Sequence, residues 1–337
     1  MAGTMQAAVL GGYGAELVLG AVPRPVPGPG QILIRLEASG VCHTDVHIWQ
    51  GAVRPPLPPL PFILGHEGVG EVAALGEGVE DWRIGERAGA AWIHDTCGTC
   101  PECRSGHESF CQNHRAHGLN VPGTFAEFVV ADARFAARVP DGDAAVLAPL
   151  MCAGLTALGA IDRADLKPGE CCAVFGCGGL GQYAVQLAQR RGAEVIAVDR
   201  DPAKLATSRR NGATQTLDAA DTGALEALAA RADVCINFAP TTATWAPMLT
   251  LLRPRGRLIA AAMVAEPVPL NQEWLTASGV TITGTSVGTR TQMADLMREE
   301  VERPLAAEVT EITLAETTEA LRALHAGRAP GRFSIRF

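Results

Sequence analysis

A glycine-rich turn between an apolar run and a helix-like stretch places the strongest constraint on how this chain can fold. The turn reads Gly176-Cys-Gly178-Gly179-Leu180-Gly181 and directly follows the apolar run Cys171 to Phe175. In a GxGxxG turn, the first glycine permits a tight bend, the second lets the backbone approach a pyrophosphate, and the third lets the helix pack on the strand. The turn therefore predicts a strand–turn–helix unit that binds a dinucleotide.

The residues around this turn alternate between apolar runs and helix-like segments from Lys167 onward. The segments are Cys171 to Phe175 with Gly179 to Arg191, Glu194 to Val198 with Pro202 to Asn211, and then apolar runs at Val234 to Phe238, Arg257 to Met263 and Val280 to Thr283. Such alternation is typical of a parallel sheet with helices on both faces. We therefore predict an α/β fold with a doubly wound Rossmann domain over residues 153–288.

An acid at the end of the second apolar run bears on the choice of cofactor. Asp199 closes the run that begins at Glu194. A carboxylate there accepts hydrogen bonds from the ribose hydroxyls of NAD and repels the 2′-phosphate of NADP. The alternative is a purely structural role, in which Asp199 caps the next helix and the glycines only make a turn. Arg200 could accept a 2′-phosphate, so NADP is the alternative to NAD, which we favour.

The chain before Asp143 has a different pattern. Short apolar runs alternate with segments rich in Gly and Pro, and the runs are Gln6 to Leu10, Gln31 to Ala38, Val69 to Leu75 and Phe125 to Val130. No amphipathic helix is evident in this part. The pattern predicts a β-rich, barrel-like or sandwich-like domain over residues 1–152, which a C-terminal return over residues 289–337 completes.

Four closely spaced cysteines stand in a lobe over residues 94–114, and they are Cys97, Cys100, Cys103 and Cys111. Four thiolates suit a closed tetrahedral zinc site, which would stabilise a lobe that has few core-forming side chains. Two local disulfides are the alternative, and a reducing compartment disfavours them. Four histidines flank the lobe and are expected to be exposed loop residues: His94, His107, His114 and His117.

Three widely separated segments carry further residues that can bind a metal. They contain Cys42, the pair His66-Glu67, and Cys152. Cys, His and Cys make a three-ligand zinc site that leaves the fourth position to water or a substrate oxygen, as a catalytic metal requires. Each residue taken singly also fits an ordinary role: a buried small thiol, a hydrogen-bonded loop histidine or a surface charge.

The motifs together resemble the zinc-containing medium-chain alcohol dehydrogenases, most closely the shorter bacterial type. The likeness runs over nearly the whole chain, through GVCHTDVH, PFILGHEGVGEV, CGTCPEC, Met-Cys-Ala-Gly, GCGGLG and Val287-Gly-Thr-Arg290. The resemblance implies a GroES-like catalytic domain, two Zn²⁺ per subunit, and hydride transfer between a primary alcohol or aldehyde and NAD. It also implies that Cys42, His66 and Cys152 hold the catalytic zinc, with Glu67 as an occasional alternative ligand.

The same resemblance assigns roles to neighbouring residues. Asp45 would accept a hydrogen bond from His66, and Thr44 would take the alcohol proton and pass it through the cofactor ribose to His47. Cofactor contacts would come from His43 and Arg332 at the pyrophosphate, and from Gly176, Gly178, Gly179, Leu180, Gly181, Asp199, Arg200, Lys204 and Val287. Trp49 and Trp92 would line the substrate pocket, although either could equally be a packing residue. The segment that begins Asn237-Phe-Ala-Pro departs from the family pattern, so the resemblance assigns no cofactor contacts to it.

Bulk properties exclude several classes of partner. The formal net charge is −8, whereas nucleic acid and anionic membranes require a basic surface. The start of the chain lacks a basic segment ahead of an apolar stretch, so we expect a cytoplasmic protein without a membrane span. By resemblance we expect a homotetramer, with a dimer as the alternative. The alternative within enzymes is an NADPH-dependent aldehyde reductase of the same superfamily. A zinc-stabilised nucleotide-binding protein without catalysis is the alternative from a different class.

Overall fold

The computed structural model describes residues 3–53, 59–268 and 270–337. The chain forms two compact units, one made of Met1–Leu155 with Thr289–Phe337 and the other of Thr156–Gly288. The sequence analysis set the corresponding boundaries at residues 152 and 288. We call the first the catalytic unit and the second the nucleotide unit.

The strands, in chain order, are β1 (Thr4–Leu10), β2 (Leu17–Pro23), β3 (Gln31–Val41), β4 (Phe62–Ile63), β5 (Gly68–Leu75), β6 (Arg87–Ala90), β7 (Ile93–Asp95), β8 (Arg115–Ala116), β9 (Phe128–Asp132), β10 (Ala137–Arg138), β11 (Cys171–Phe175), β12 (Glu194–Asp199), β13 (Gln215–Asp218), β14 (Ala232–Asn237), β15 (Leu252–Ala260), β16 (Thr281–Gly284), β17 (Val309–Ile312) and β18 (Arg332–Arg336).

The α-helices are α1 (His43–Trp49), α2 (Pro101–Arg104), α3 (Ala144–Leu147), α4 (Ala153–Arg163), α5 (Gly181–Arg190), α6 (Pro202–Arg210), α7 (Thr222–Glu226), α8 (Trp245–Leu251), α9 (Gln272–Ser278), α10 (Arg290–Glu302) and α11 (Thr317–His325). Short 3₁₀ helices cover Glu108–Phe110, Ala148–Met151, Thr242–Thr244 and Leu314–Glu316. No single helix among the described residues is long and apolar enough to cross a membrane; the pair Ala144–Met151 and Ala153–Arg163, bent by 45°, passes by length and composition together.

The catalytic unit is built around the long strand β3. This strand pairs antiparallel with β5, β9 and β18, inside a sheet with the order β10-β6-β5-β3-β18-β17. A second sheet has the order β2-β1-β4, and β7 pairs with β8 at the base of the cysteine lobe. In the β3–β18 register Phe333 faces Val41, which brings the C-terminal return to the end of β3.

The nucleotide unit is a six-stranded parallel sheet. Its order is β13-β12-β11-β14-β15-β16, so the direction of winding reverses between β11 and β14. The central strand β11 is buried along its whole length, whereas the edge strands β13 and β16 are largely half-buried or exposed. This is the order of a doubly wound dinucleotide-binding sheet, whose ligands bind at the carboxyl ends of the strands beside the reversal. The predicted α/β fold class is confirmed.

One expectation for the catalytic unit is wrong. Two α-helices, α1 and α2, precede Asp143, where the sequence pattern indicated none. Both are too short to show the repeated spacing that reveals an amphipathic helix. Local capping stabilises them instead: Asp45 accepts a hydrogen bond from the backbone N–H of Cys42 at the start of α1, and the Cys100 thiol accepts from Cys103 N–H in α2.

Candidate active site

Asp45 anchors the first part of the site. The residue lies in the first turn of α1 and is fully buried. Its Oδ2 accepts a hydrogen bond from Cys42 N–H at 2.9 Å, and its Oδ1 accepts from Gly65 N–H at 3.2 Å. His66 Nδ1 lies 3.0 Å from the same Oδ1. One carboxylate therefore fixes the end of β3, the start of α1 and the loop that carries His66.

Three donor side chains converge beside Asp45. Cys42, His66 and Cys152 offer Sγ, a ring nitrogen and Sγ, and together with Glu67 their ligand atoms lie within 4.8 Å of one another. The two sulfurs are 4.0 Å apart, far beyond the roughly 2.05 Å of a disulfide. The 3₁₀ helix Ala148–Met151 delivers Cys152 to this point from a distant part of the chain.

The donor set fits a zinc ion. Nε2 of His66 is buried and has no hydrogen-bond partner among the residues that the structure describes, although a buried ring nitrogen normally has one. Tetrahedral coordination with Zn–S bonds of about 2.3 Å separates two sulfurs by about 3.8 Å, close to the spacing of Cys42 and Cys152. Two sulfurs and one imidazole nitrogen form the ligand set of a zinc site with one open position.

The protonation pattern of the cluster follows from burial and neighbouring charge. Burial opposes a charge on His66, but the Asp45 carboxylate raises the pKa of His66 well above its usual value. The neighbouring Cys152 thiol, and with it the charge of His66, lower the pKa of Cys42 well below that of a free thiol, against the effect of burial. The chain thus favours a thiolate at Cys42, which is the form that binds a metal.

A buried ion pair closes one side of the cluster. Arg332, at the start of β18, donates to the Glu67 carboxylate, and both side chains are almost fully buried. Burial raises the pKa of Glu67 to about 7, although the Arg332 charge opposes this. The guanidinium thereby holds Glu67 beside Cys42, His66 and Cys152. The predicted contact of Arg332 with a pyrophosphate stays a prediction.

The cysteine lobe forms a second cluster. Its four sulfurs lie within 4.8 Å of one another, and Cys97 Sγ is 3.9 Å from Cys103 Sγ and 3.6 Å from Cys111 Sγ. These separations exclude disulfides and match tetrahedral zinc. Backbone N–H groups of Thr99 and Cys100 lower the pKa of Cys97 to about 6, which favours the thiolate. A metal held by all four sulfurs would have no position left for a substrate, unlike a metal held by three protein ligands.

The expectation that the histidines around the lobe are exposed is wrong for His94 and His117. They are only 2% and 1% exposed, and their rings meet edge to face at 4.8 Å. His117 Nδ1 lies 2.7 Å from the Ala91 carbonyl oxygen, and His117 Nε2 lies 3.1 Å from His94 Nδ1. Burial lowers the pKa of His117 to about 4. The pair links β7 to the segment after β8 beneath the lobe.

The glycine-rich turn lies between β11 and α5 in the nucleotide unit. Gly176 has a φ of +86°, and a Cβ there would lie 2.6 Å from Ala239 N. A Cβ on Gly181 would lie 2.1 Å from the Gly176 carbonyl oxygen. Close packing of the turn therefore requires a glycine at position 181. At Gly178 a Cβ would meet no atom of the described residues within 4 Å. Packing does not require this glycine, whereas close approach of a phosphate would.

Asp199 stands at the carboxyl end of β12, beside this turn. Its Oδ2 accepts a hydrogen bond from Cys177 N–H at 2.7 Å, and its Oδ1 accepts from Asp201 N–H at 2.9 Å. Asp201, not Asp199, caps α6 through Ala203 N–H. Arg200 is exposed next to it, and Lys204 lies 3.9 Å from Asp201 in the first part of α6.

Val287 has an unusual backbone. Its φ is +48°, a left-handed conformation that is an outlier for a β-branched residue. Its carbonyl oxygen packs so closely against Gly159 that a Cβ on Gly159 would lie 2.3 Å from it. The chain therefore fixes a strained residue at a position assigned to the cofactor.

The remaining predicted residues surround the first cluster. Thr44 Oγ1 is 3.8 Å from Cys42 Sγ, and the ring centroids of His43 and His47 are 5.2 Å apart on α1. Burial, and then the charge of His47, lower the pKa of His43. The two predicted pocket tryptophans have different surroundings. The Trp92 ring meets the His66 ring edge to face, with the centroids 4.9 Å apart. Trp49 is buried and donates its indole N–H to the Ala15 carbonyl oxygen.

Comparison with known proteins bears on both units. The alcohol dehydrogenase GroES-like domain model matches residues 28–141, and the zinc-binding dehydrogenase model matches residues 179–302. An alcohol dehydrogenase from Moraxella sp. is 36% identical over 98% of this chain and 99% of its own.

The chain belongs to the zinc-type medium-chain alcohol dehydrogenase family. The alcohol dehydrogenase of Aeropyrum pernix is structurally similar, with a TM-score of 0.90, 33% identity and coverage of 98% of this chain and 100% of that one. Acetophenone reductase from Geotrichum candidum in complex with NAD has a TM-score of 0.88 and 30% identity, and the match covers 99% and 97% of the two chains. The chain is therefore an oxidoreductase of the alcohol dehydrogenase family, and the predicted family is confirmed.

The structure also contains two contacts that sequence reasoning missed. The ion pair of Glu67 with Arg332 joins residues at opposite ends of the chain. The lobe is tied to α10 because Glu108 accepts hydrogen bonds from Arg290 N–H and Nε–H at 3.0 and 3.3 Å. No local pattern marks either pair; the weak signals were a lone acid after His66 and an acid between the lobe cysteines.

Proposed function

We propose that this chain catalyses reversible hydride transfer between a primary alcohol, or its aldehyde, and NAD. The observation that carries the proposal is the buried set Cys42, His66 and Cys152, in which His66 Nε2 has no hydrogen-bond partner within the described part of the chain. A metal held by three protein ligands keeps a position for a substrate oxygen, unlike the four-cysteine site. Relatives named alcohol dehydrogenase that match over their whole length support this activity.

Within this proposal, Cys42, His66 and Cys152 hold the catalytic zinc and Asp45 orients the imidazole. A bound zinc supplies Lewis acidity, which makes loss of an alcohol proton feasible near neutral pH. The Asp45 carboxylate accepts from His66 Nδ1, which leaves the Nε2 lone pair for the metal. Glu67 stands close enough to serve as an alternative ligand, and Arg332 holds it there.

Residues of α1 would handle the alcohol proton. The Thr44 hydroxyl, near Cys42 Sγ, can accept that proton and donate its own onward. His47 lies one turn further along the same helix and is half-buried, so it can pass a proton to solvent. His43, which burial keeps neutral, would donate to the cofactor pyrophosphate. Trp92, packed against His66, would bound the substrate side.

The nucleotide unit supports NAD as the cofactor. Gly178 leaves room for a pyrophosphate, and the helix α5 that starts at Gly181 offers the positive end of its dipole to it. Two backbone N–H groups hold the Asp199 carboxylate in place at the end of β12. A fixed negative charge there favours ribose hydroxyls over a 2′-phosphate. We further propose two zinc ions per subunit and a homotetramer, with a dimer as the alternative.

The test combines metal analysis with turnover in matched cysteine variants. Zinc per subunit and NADH formation from a series of primary alcohols are measured in the wild type, in Cys152→Ser and in Cys171→Ala. Cys171 is buried but belongs to neither cluster, so it controls for loss of a buried thiol. We expect two zinc ions and turnover in the wild type and Cys171→Ala, and one zinc with little turnover in Cys152→Ser.

Other outcomes distinguish the alternatives. Turnover with NADPH that exceeds turnover with NADH would favour a reductase of the same superfamily. One zinc per subunit and no turnover in the wild type would favour a zinc-stabilised nucleotide-binding protein. Full turnover in folded Cys152→Ser would exclude the three-ligand site.

A further inference from the structure

A cavity outside both metal clusters opens between the segment 134–140 and α10, within the catalytic unit. Its volume is about 540 Å³, within the range of about 300 to 1,000 Å³ that small-molecule sites occupy. Four arginines line it: Arg134, Arg138, Arg290 and Arg298. No acidic residue belongs to the lining among the residues that the structure describes.

Acidic partners outside the lining hold these arginines in place. Arg134 pairs with Asp132 at 2.7 Å, Arg138 with Glu86 at 2.9 Å and Arg298 with Asp295 at 2.9 Å. Arg290 pairs with Glu108 of the lobe. Each guanidinium carries five N–H donors, of which one ion pair uses only one or two. Donors therefore remain for an anion in the cavity, and the four side chains are about half exposed or more.

Beside the arginines the cavity is apolar. Phe135, Val139, Met293 and Met297 line it and are themselves buried, while Val301 is 66% exposed. The Arg290 guanidinium lies 4.3 Å from the centroid of the Phe135 ring, and that of Arg134 lies 5.8 Å from it. A flat cation stacked on an aromatic ring is held in a fixed orientation. Positive donors and apolar surface thus line the same open cavity.

We propose that this cavity binds a small amphiphilic anion, with a carboxylate or phosphate head joined to an apolar chain. The arginines would receive the head, and Phe135, Met293 and Met297 would contact the chain. Inorganic phosphate lacks the apolar part and a neutral long-chain alcohol lacks the charge, so each satisfies only half of the site. This site is separate from the proposed alcohol site and does not depend on it.

Calorimetric titration of the zinc-loaded full-length protein tests the site. The probes are decanoate, decyl phosphate, decanol and inorganic phosphate. We expect the two amphiphilic anions to bind at least about tenfold more tightly than inorganic phosphate, since burial of an apolar chain adds affinity. Absence of saturable binding by both anions would overturn the proposal. A preference for the carboxylate or for the phosphate would identify the head group.

Variants separate this cavity from the alcohol site, which could also accept an alkyl chain. Arg298→Glu reverses one exposed charge, and Val301→Asp adds an anion at an exposed position of the lining. Both substitutions should weaken the binding of decanoate or decyl phosphate by about tenfold or more. Arg298→Lys, which keeps the positive charge, should bind nearly as tightly as the wild type. The control is Arg35→Glu, an exposed arginine paired with Glu71 on β3 and β5, outside the lining.

We expect anion binding to be unchanged in Arg35→Glu, and alcohol turnover to be unchanged in all of these variants. Two different exposed positions are used so that misfolding of one variant does not decide the result. Binding that persists in folded Arg298→Glu and Val301→Asp would place the anion elsewhere and overturn the assignment.

Discussion

Nδ1 of His66 lies 3.0 Å from Oδ1 of Asp45, and neither side chain is exposed to solvent. The other carboxylate oxygen accepts the backbone N–H of Cys42. One aspartate therefore positions two of the three side chains proposed to hold the catalytic zinc, although it provides no ligand itself.

Replacement of Asp45 by Asn should weaken the catalytic site without disturbing the lobe. The amide keeps the size of the side chain but loses the charge that holds His66 in its tautomer. Loss of such an outer partner typically reduces metal affinity or activity by about 10- to 100-fold. Competition with a chromogenic chelator measures zinc affinity, and kcat/KM is measured in parallel.

The control for this variant is Asp143→Asn. Asp143 caps α3 and pairs with Arg336, so it is an acid of the same unit outside the cluster. Zinc affinity equal to that of the wild type in Asp45→Asn would contradict the assigned role.

Buried His117 should make stability depend on pH. Its pKa is about 4 in the folded chain and about 6.5 when unfolded. Between these values the unfolded chain binds a proton that the folded chain does not, so the free energy of unfolding falls as the pH falls from 6.5 to 4. The full effect is about 3 kcal/mol. Urea unfolding at a series of pH values should show a smaller decline in His117→Gln.

Zinc dissociation at low pH should affect the wild type and His117→Gln equally, because both keep the same metal ligands. The difference between their pH profiles therefore reports on His117. His107→Gln serves as the control because His107 is an exposed histidine near the lobe. Parallel pH profiles for the wild type and His117→Gln would show that His117 takes up a proton equally well in both states.

Loss of the lobe zinc should reduce stability more than chemistry. Cys103→Ser removes one of four ligands, so zinc content should fall by one per subunit and Tm should fall by several degrees. Because Glu108 of the lobe accepts from Arg290, the start of α10 should loosen as well. Turnover per remaining catalytic zinc should stay within about threefold of the wild type, the reverse of the pattern expected for Cys152→Ser. Unchanged zinc content and Tm in Cys103→Ser would show that the lobe cysteines do not hold a zinc ion.

Asp199 should set the preference for NAD. Asp199→Asn keeps an oxygen that can accept from Cys177 N–H but removes the charge that repels a 2′-phosphate. The ratio of kcat/KM for NAD over NADP should fall by about tenfold or more. Asp221→Asn is the control, because Asp221 caps α7 in the same unit. If this ratio falls equally in Asp199→Asn and Asp221→Asn, Asp199 does not determine the cofactor preference.

Much of the nucleotide unit could be predicted because its signals are local. The run Cys171 to Phe175, the glycine turn and the acid at Asp199 follow one another in a fixed order, and the sheet confirms that pattern. β13 escaped notice because Gln215–Asp218 contains a single strongly apolar residue, Leu217. Its place depends on pairing with β12, which no local pattern states.

The candidate site was predictable only in part. Cys42, His66 and Cys152 were selected through the family resemblance, since each alone fits a structural role. The exposure of His94 and His117 was misjudged because their burial arises from β7, β8 and the segment after them. The Glu67–Arg332 pair depends on β18 pairing with β3, a contact between the two ends of the chain.

The most direct test of the central claim is transfer of deuterium from a 1,1-dideuterated primary alcohol to NAD by zinc-loaded enzyme, with Cys152→Ser alongside. Mass spectrometry of the reduced cofactor reads the result. We expect one deuterium in the nicotinamide product of the wild type and almost no reduced cofactor from Cys152→Ser. Reduced cofactor without deuterium, or equal labelling by the folded variant, would contradict hydride transfer at the Cys42, His66 and Cys152 site.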